Sequence, residues 1–132
     1  SILEGTAYAI RMNLEVMGAA GADFSFATAV GGGTANELWL QTVSDVSGIS
    51  QVIPEKTIGA SYGDAFLAGL AVGAVSGLDA VNRDWVSIKK KIIPDPNNKP
   101  DYDHLYTLFK DLYQSSKNVV HQLAHLQNKK RP

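Results

Sequence analysis

Apolar residues recur along the chain in two different rhythms, and the switches between them mark the elements. Leu3, Ala7, Ile10, Leu14 and Met17 alternate spacings of four and three, which predicts an amphipathic helix from Ile2 to Met17, ended by the Gly18 to Gly21 region. Phe24, Phe26, Thr28 and Val30 then alternate with small residues. That period of two, carried by aromatic and β-branched side chains, predicts a strand from Phe24 to Val30. The strand runs into Gly31-Gly32-Gly33 and then Thr34-Ala35-Asn36-Glu37, a Thr-x-x-Glu pattern that fits a capping box. A helix is predicted from Ala35 to Ser47, with Trp39, Val43 and Val46 on one stripe and Gly48 at its end.

Gln51-Val52-Ile53 reads as a short second strand, closed by Pro54. Ser61 and Asp64 suit the start of a third helix over Ser61 to Ser76. Its run from Ala65 to Val75 is apolar, with Ala65, Gly69, Gly73 and Gly77 at every fourth position. The run is shorter than the ~20 residues of a membrane span, so the expectation is a fully buried helix whose small stripe lets another backbone approach. Residues 78–100 loosen into Trp85-Val86-Ser87-Ile88, three lysines and a Pro/Asn-rich turn, which a hairpin or an extended arm both fit. Asp101 opens a long helix in which Leu105, Phe109, Leu112, Ser116, Val119, Leu123 and Leu126 keep four-three spacing. One face of it is expected to dock on the body, with Lys129 to Pro132 as a frayed tail.

Composition narrows the chemistry. At 132 residues with a net charge of −1, the chain has the size of one domain and lacks the cationic excess of a nucleic-acid binder. The absence of cysteine excludes disulfides, thiolate metal sites and a cysteine nucleophile. An intracellular, cytoplasmic protein is expected, with no membrane contact. The opening Ser1-Ile2-Leu3 carries no charged leader or cleavage pattern. Its abrupt entry into a helix gives the expectation of a piece of a longer protein.

The Lys89-Lys90-Lys91 run reads as a solvated turn. His121 and His125 stand four apart on the last helix, a spacing that puts two imidazoles on one face, but a metal site needs three or four ligands. His104 reads as a helix-start residue, and Tyr102, Tyr106 and Tyr113 as packing. No Gly-x-Ser-x-Gly turn or complete phosphate-binding Gly-x-x-x-x-Gly-Lys-Ser/Thr loop occurs. Asp45, Asp64 and Glu55, the carboxylates near the glycine-loop helices, form no acid/base spacing. The one feature with functional chemistry is the strand–glycine loop–helix unit. Gly31, Gly32 and Gly33 can take positive φ and let a ligand touch the main chain, and a helix start favours a nearby anion.

Val30 to Gln41, then Ser44 to Gly48, and Gly59-Ala60-Ser61-Tyr62-Gly63-Asp64-Ala65-Phe66-Leu67-Ala68-Gly69 together resemble the carboxy-terminal domain of the FGGY carbohydrate kinases. A Tyr-x-x-Leu-Tyr start to the last helix is also similar. Tyr62 and Asp64 depart from the small or aliphatic residues usual at their positions. The resemblance implies an α/β, partial ribonuclease H-like (actin-like ATPase) domain, helix-rich with a small sheet. Residues 1–77 would form an α-β-α-β-α core and 101–127 the C-terminal helix. It implies transfer of the γ-phosphoryl group of ATP to a sugar hydroxyl, with Gly31, Gly32, Gly33 and Asn36 holding the nucleotide. Magnesium ligands, the catalytic Asp and the sugar site would lie in an amino-terminal domain that nothing here matches, so this chain would be inactive alone. The alternative is a non-catalytic actin-like scaffold for oligomerisation or partner binding. Either way, the isolated chain is expected to cover the open edge of the first strand by self-association or with a relocated segment.

Overall fold

The computed structural model describes residues 2–129. The C-terminal tail expectation, apart from Lys129 itself, lies outside them. α1 (Ile2–Ala19) leads to β1 (Ala27–Thr28), a single 3-10 turn (Gly32–Ala35) and α2 (Glu37–Ser47). β2 (Gln51–Pro54), α3 (Ala60–Ala71), a π turn (Val81–Trp85), β3 (Ile88–Ile92) and α4 (Lys99–Lys129) follow. No described helix is long and apolar enough to cross a membrane.

The sheet has the order β1-β2-β3. β1 pairs in parallel with β2, Ala27 opposite Gln51. β2 pairs antiparallel with β3, Gln51 opposite Ile92, with a register shift at Ile53/Pro54, where proline cannot donate to a regular ladder. β1 is much shorter than the Phe24–Val30 alternation predicts. Its ladder is confined to Ala27 and Thr28 opposite Gln51 and Val52, through Ala27 N–H to the Ser50 carbonyl and Ala29 N–H to the Val52 carbonyl, both 2.9 Å, although β2 itself continues to Pro54. Phe26 and Val30 remain half exposed. Residues 78–100 contribute β3, which makes β2 the central strand.

Two apolar clusters hold the layers together. Ala7 and Tyr8 of α1, Val43 and Val46 of α2 and Tyr106 of α4 form the first, with Trp39, Tyr102 and Phe109 packed against it. Leu40 of α2 meets Ile53 and Ile92 of the sheet in the second. α2 is therefore the shared wall. Gly48 ends it in the left-handed conformation, φ 75°, as its sequence predicts.

Two helices differ from their sequence patterns. α3 is not fully buried: Phe66 is its buried residue, while Leu67 is exposed. Phe66 and Tyr62 both pack on Trp85, with ring centroids 5.3 and 5.0 Å apart. The helix starts at Gly59 (φ 80°) with no side-chain cap from Ser61, and stops at Ala71, short of Ser76. The backbone that approaches Gly69 is its own: the Ala74 and Val75 amides donate to the Gly69 carbonyl, and a Cβ at Gly69 would lie 3.0 Å from Val75 Cγ2. On α4 the docked stripe is Tyr102, Tyr106 and Phe109. Leu112, Tyr113, Val119, Leu123 and Leu126 are exposed, so the expected docking face covers only the first third of the helix.

Candidate functional site

The glycine loop leaves the carboxyl end of β1. In a sheet with parallel strands this end carries the crevice where ligands bind, because the turns into the helices open there. The second such turn, after β2, lies alongside: the Gly31 N–H donates to the Thr57 carbonyl at 2.7 Å. Gly31 has φ 88° and ψ −174°, a region open in practice to glycine alone. Of the three expected glycines, only Gly31 has positive φ. Gly32 and Gly33 instead enter the 3-10 turn.

Thr34 does not cap α2. Its amide and its hydroxyl both donate back to the Gly31 carbonyl, at 3.1 and 2.7 Å, which closes the loop on itself. Asn36 is the cap: its Oδ1 accepts the Trp39 N–H at 3.1 Å, and the helix begins at Glu37. A Thr-x-x-Glu match and an Asn two residues later compete for the same role, and the tight glycine turn decides for Asn36. Glu37 reaches across to the Lys90 ammonium, a contact that holds its carboxyl below the usual range. One member of the lysine run is thus an ion-pair partner of the loop helix.

The four expected residues sit together and exposed, with Gly31 alone half-buried. A Cβ built on Gly32 would meet nothing within 4 Å, whereas one on Gly33 would lie 3.3 Å from Trp39 Nε1. Beside the loop, Thr34, Ala35, Glu37, Leu40, Ile53, Lys89 and Lys90 line a cavity of about 230 Å³. Pockets that enclose a drug-sized ligand span roughly 300–1,000 Å³, so a nucleotide would have to extend outside it. Sequence reasoning missed Thr57, Trp39 and Lys90. Two turns that follow neighbouring parallel strands must lie side by side, which is the signal that could have found Thr57.

The remaining candidates lie elsewhere. Asp45 is buried and accepts from Gln41 Nε2 (2.7 Å), the Asp95 amide (2.8 Å) and Asn98 Nδ2 (2.9 Å); it braces α2 against the turn before α4. Asp64 and Glu55 are exposed. His121 and His125 stand on the exposed outer part of α4. Among the described residues no three His, Cys, Asp or Glu side chains form a group that could hold a metal ion.

The chain has a partial ribonuclease H-like, actin-like ATPase fold, helix-rich with a small three-stranded sheet, which it shares with solved kinases. Residues 1–72 match the model of the C-terminal domain of the FGGY family of carbohydrate kinases, and the chain belongs to that family. Its fold matches the crystal structure of xylulose kinase from Rhodospirillum rubrum with a TM-score of 0.75 and 30% identity, over 90% of this chain and 24% of that one. A xylulose kinase from Staphylococcus epidermidis is 23% identical over 97% of this chain and 26% of its own length. Glycerol kinase 2 from Saccharolobus solfataricus is 32% identical over 88% of this chain and 23% of its own. The chain spans about a quarter of the length of these relatives.

Proposed function

We propose that this chain forms the nucleotide side of an ATP-dependent, xylulokinase-like carbohydrate kinase. Gly31 turns the loop, its own amide held by the Thr57 carbonyl, so that Gly32 and Gly33 present main-chain amides to the phosphates, and Asn36 fixes the start of α2, whose dipole favours the anion. In the reaction the bond between the γ-phosphorus and its bridging oxygen breaks as the sugar hydroxyl oxygen bonds to phosphorus, and the hydroxyl proton passes to a base. That base, the metal ligands and the sugar site are contributed by protein outside this chain, which is inactive alone. The observation that carries the reading is the Gly31 conformation, φ 88° and ψ −174°, which turns the loop at the carboxyl ends of two parallel strands directly ahead of α2. Membership of the family supports it.

Gly32→Val tests it in the complete kinase. Position 32 has open space and no positive φ, so the fold tolerates the side chain while the ligand loses its room. The KM for ATP should rise about tenfold or more, the equivalent of one or two lost backbone contacts, with the KM for sugar unchanged. A normally folded variant with unaltered ATP kinetics would sink the proposal.

A further inference from the structure

Trp39 occupies a position that the proposed reading leaves unused. Its indole packs against the Ala7, Tyr8, Val43, Val46 and Tyr106 cluster, and the Nε1 and Cδ1 edge of the same ring comes to 3.3 and 3.4 Å of where a Cβ on Gly33 would stand. Its own amide is the donor to the Asn36 cap. One residue therefore touches the loop, the cap of the following helix and the core. Gly33 has no positive φ, so backbone conformation does not demand glycine there; the tight approach of the indole edge is what a side chain at this position would meet.

We infer that Trp39 is the positioning residue of the glycine loop, and that the Gly33–Trp39 contact sets the loop's height and with it the affinity for adenine nucleotide. The inference rests on the nucleotide-binding reading above. A methyl group at position 33 would need the ring to give by a few tenths of an ångström. The ring is backed by packed core, where displacement is resisted. The strain falls on the loop. A nucleotide that presses on the loop must in turn be felt at the indole.

The other tryptophan, Trp85, sits in the separate Tyr62 and Phe66 cluster. Trp85→Phe thus leaves Trp39 as the single indole fluorophore. ADP binding to the 132-residue chain is measured by equilibrium dialysis for wild type, Gly33→Ala, Trp39→Phe and the double variant, with Trp39 emission followed in the Trp85→Phe protein. Saturating ADP should shift the emission. Gly33→Ala should weaken ADP about fivefold or more, and Trp39→Phe severalfold. The double variant should bind within about twofold of Trp39→Phe alone, the non-additivity expected of two residues in contact. If ADP binds but emission is unmoved and the two losses multiply, the positioning role is wrong and the nucleotide reading stands. If ADP does not bind the isolated wild-type chain, the dialysis arms are repeated in the complete kinase, where losses that multiply overturn the positioning role and an absence of ADP binding overturns both. Should Trp39→Phe fail to fold by circular dichroism, the Gly33→Ala and emission arms decide alone.

Discussion

Arg11 Nη1 of α1 stands 2.7 Å from Asp103 Oδ1 of α4 and 3.1 Å from the Val46 carbonyl at the end of α2, while its guanidinium lies 4.2 Å from the centre of the Tyr106 ring. One side chain thus joins three helices behind the glycine loop. Asp103 also accepts from Lys99, and the Lys99 and Arg11 contacts together hold its carboxyl below the usual carboxylate range. A group whose value is depressed on folding contributes stability that is present above its unfolded pKa and is lost as pH falls through the folded one. Asp103→Asn should therefore lower the urea midpoint at neutral pH, and the difference from wild type should shrink below about pH 4. A difference that stays constant down to strongly acidic pH would show that the pairing contributes nothing.

Tyr106 carries the opposite dependence. It is buried at 1% exposure, its hydroxyl donates to Glu15 Oε2 at 2.7 Å, and burial, then the Glu15 contact, push its phenol up to about 12. The neutral phenol is favoured in the folded chain, so its contribution is complete below about pH 10 and is lost as pH rises towards the folded value. Tyr106→Phe should cost about 1–2 kcal/mol at neutral pH through the lost bond to a carboxylate. Its alkaline stability loss should also be shallower than wild type. Phenolate absorbance during the same titration checks the order of events: Tyr106 should ionise with unfolding rather than before it.

Gly31 and Gly32 should separate cleanly in stability. Alanine at Gly31 must hold φ near 88°, which costs about 1–3 kcal/mol. Alanine at Gly32 meets open space with no positive φ and should be neutral, or stabilising by a few tenths of a kcal/mol through the unfolded chain. Urea denaturation of the two variants gives the comparison. Equal effects would mean that the loop does not keep its Gly31 turn in solution.

What the sequence made legible follows from which constraints are local. The glycine loop, the α2 stripe through Val43 and Val46, and the Gly48 stop depend on neighbours in the chain, and they stand where the pattern puts them. The family was legible too, through two ordered motifs that together exceed what either carries. The extent of β1 was not, because the Phe24 to Val30 alternation marks an extended segment and says nothing of how many of its residues pair with β2. Nor was the cap: Thr34 and Asn36 are both good capping residues, and the choice lies in a hydrogen bond from Thr34 back to Gly31. Trp39 looked like one more residue of a core stripe. Its contact with Gly33 joins positions six apart across a 3-10 turn, a spacing that no helical or strand period marks.

The last helix gives the sharpest contrast between pattern and packing. Phe109 packs on the Tyr8 ring, with centroids 5.4 Å apart, whereas Leu112, one position along the same apolar stripe, is 68% exposed and Leu123 is 61% exposed. Four-three spacing states that a face is apolar; it does not say what covers it. Removing a packed aromatic side chain costs up to about 3–5 kcal/mol when it is fully buried, so Phe109→Ala, at a half-buried position, should cost about 2–3 kcal/mol. Leu112→Ala and Leu123→Ala should each stay within about 0.5 kcal/mol, as surface substitutions do. Urea denaturation of the three variants, at two protein concentrations and with light scattering alongside, makes the comparison. If Leu112→Ala and Leu123→Ala cost as much as Phe109→Ala at high concentration only, the outer part of α4 is buried between copies in solution. If they cost as much at every concentration, the helix folds back on its own chain and the free projection of its outer part is wrong.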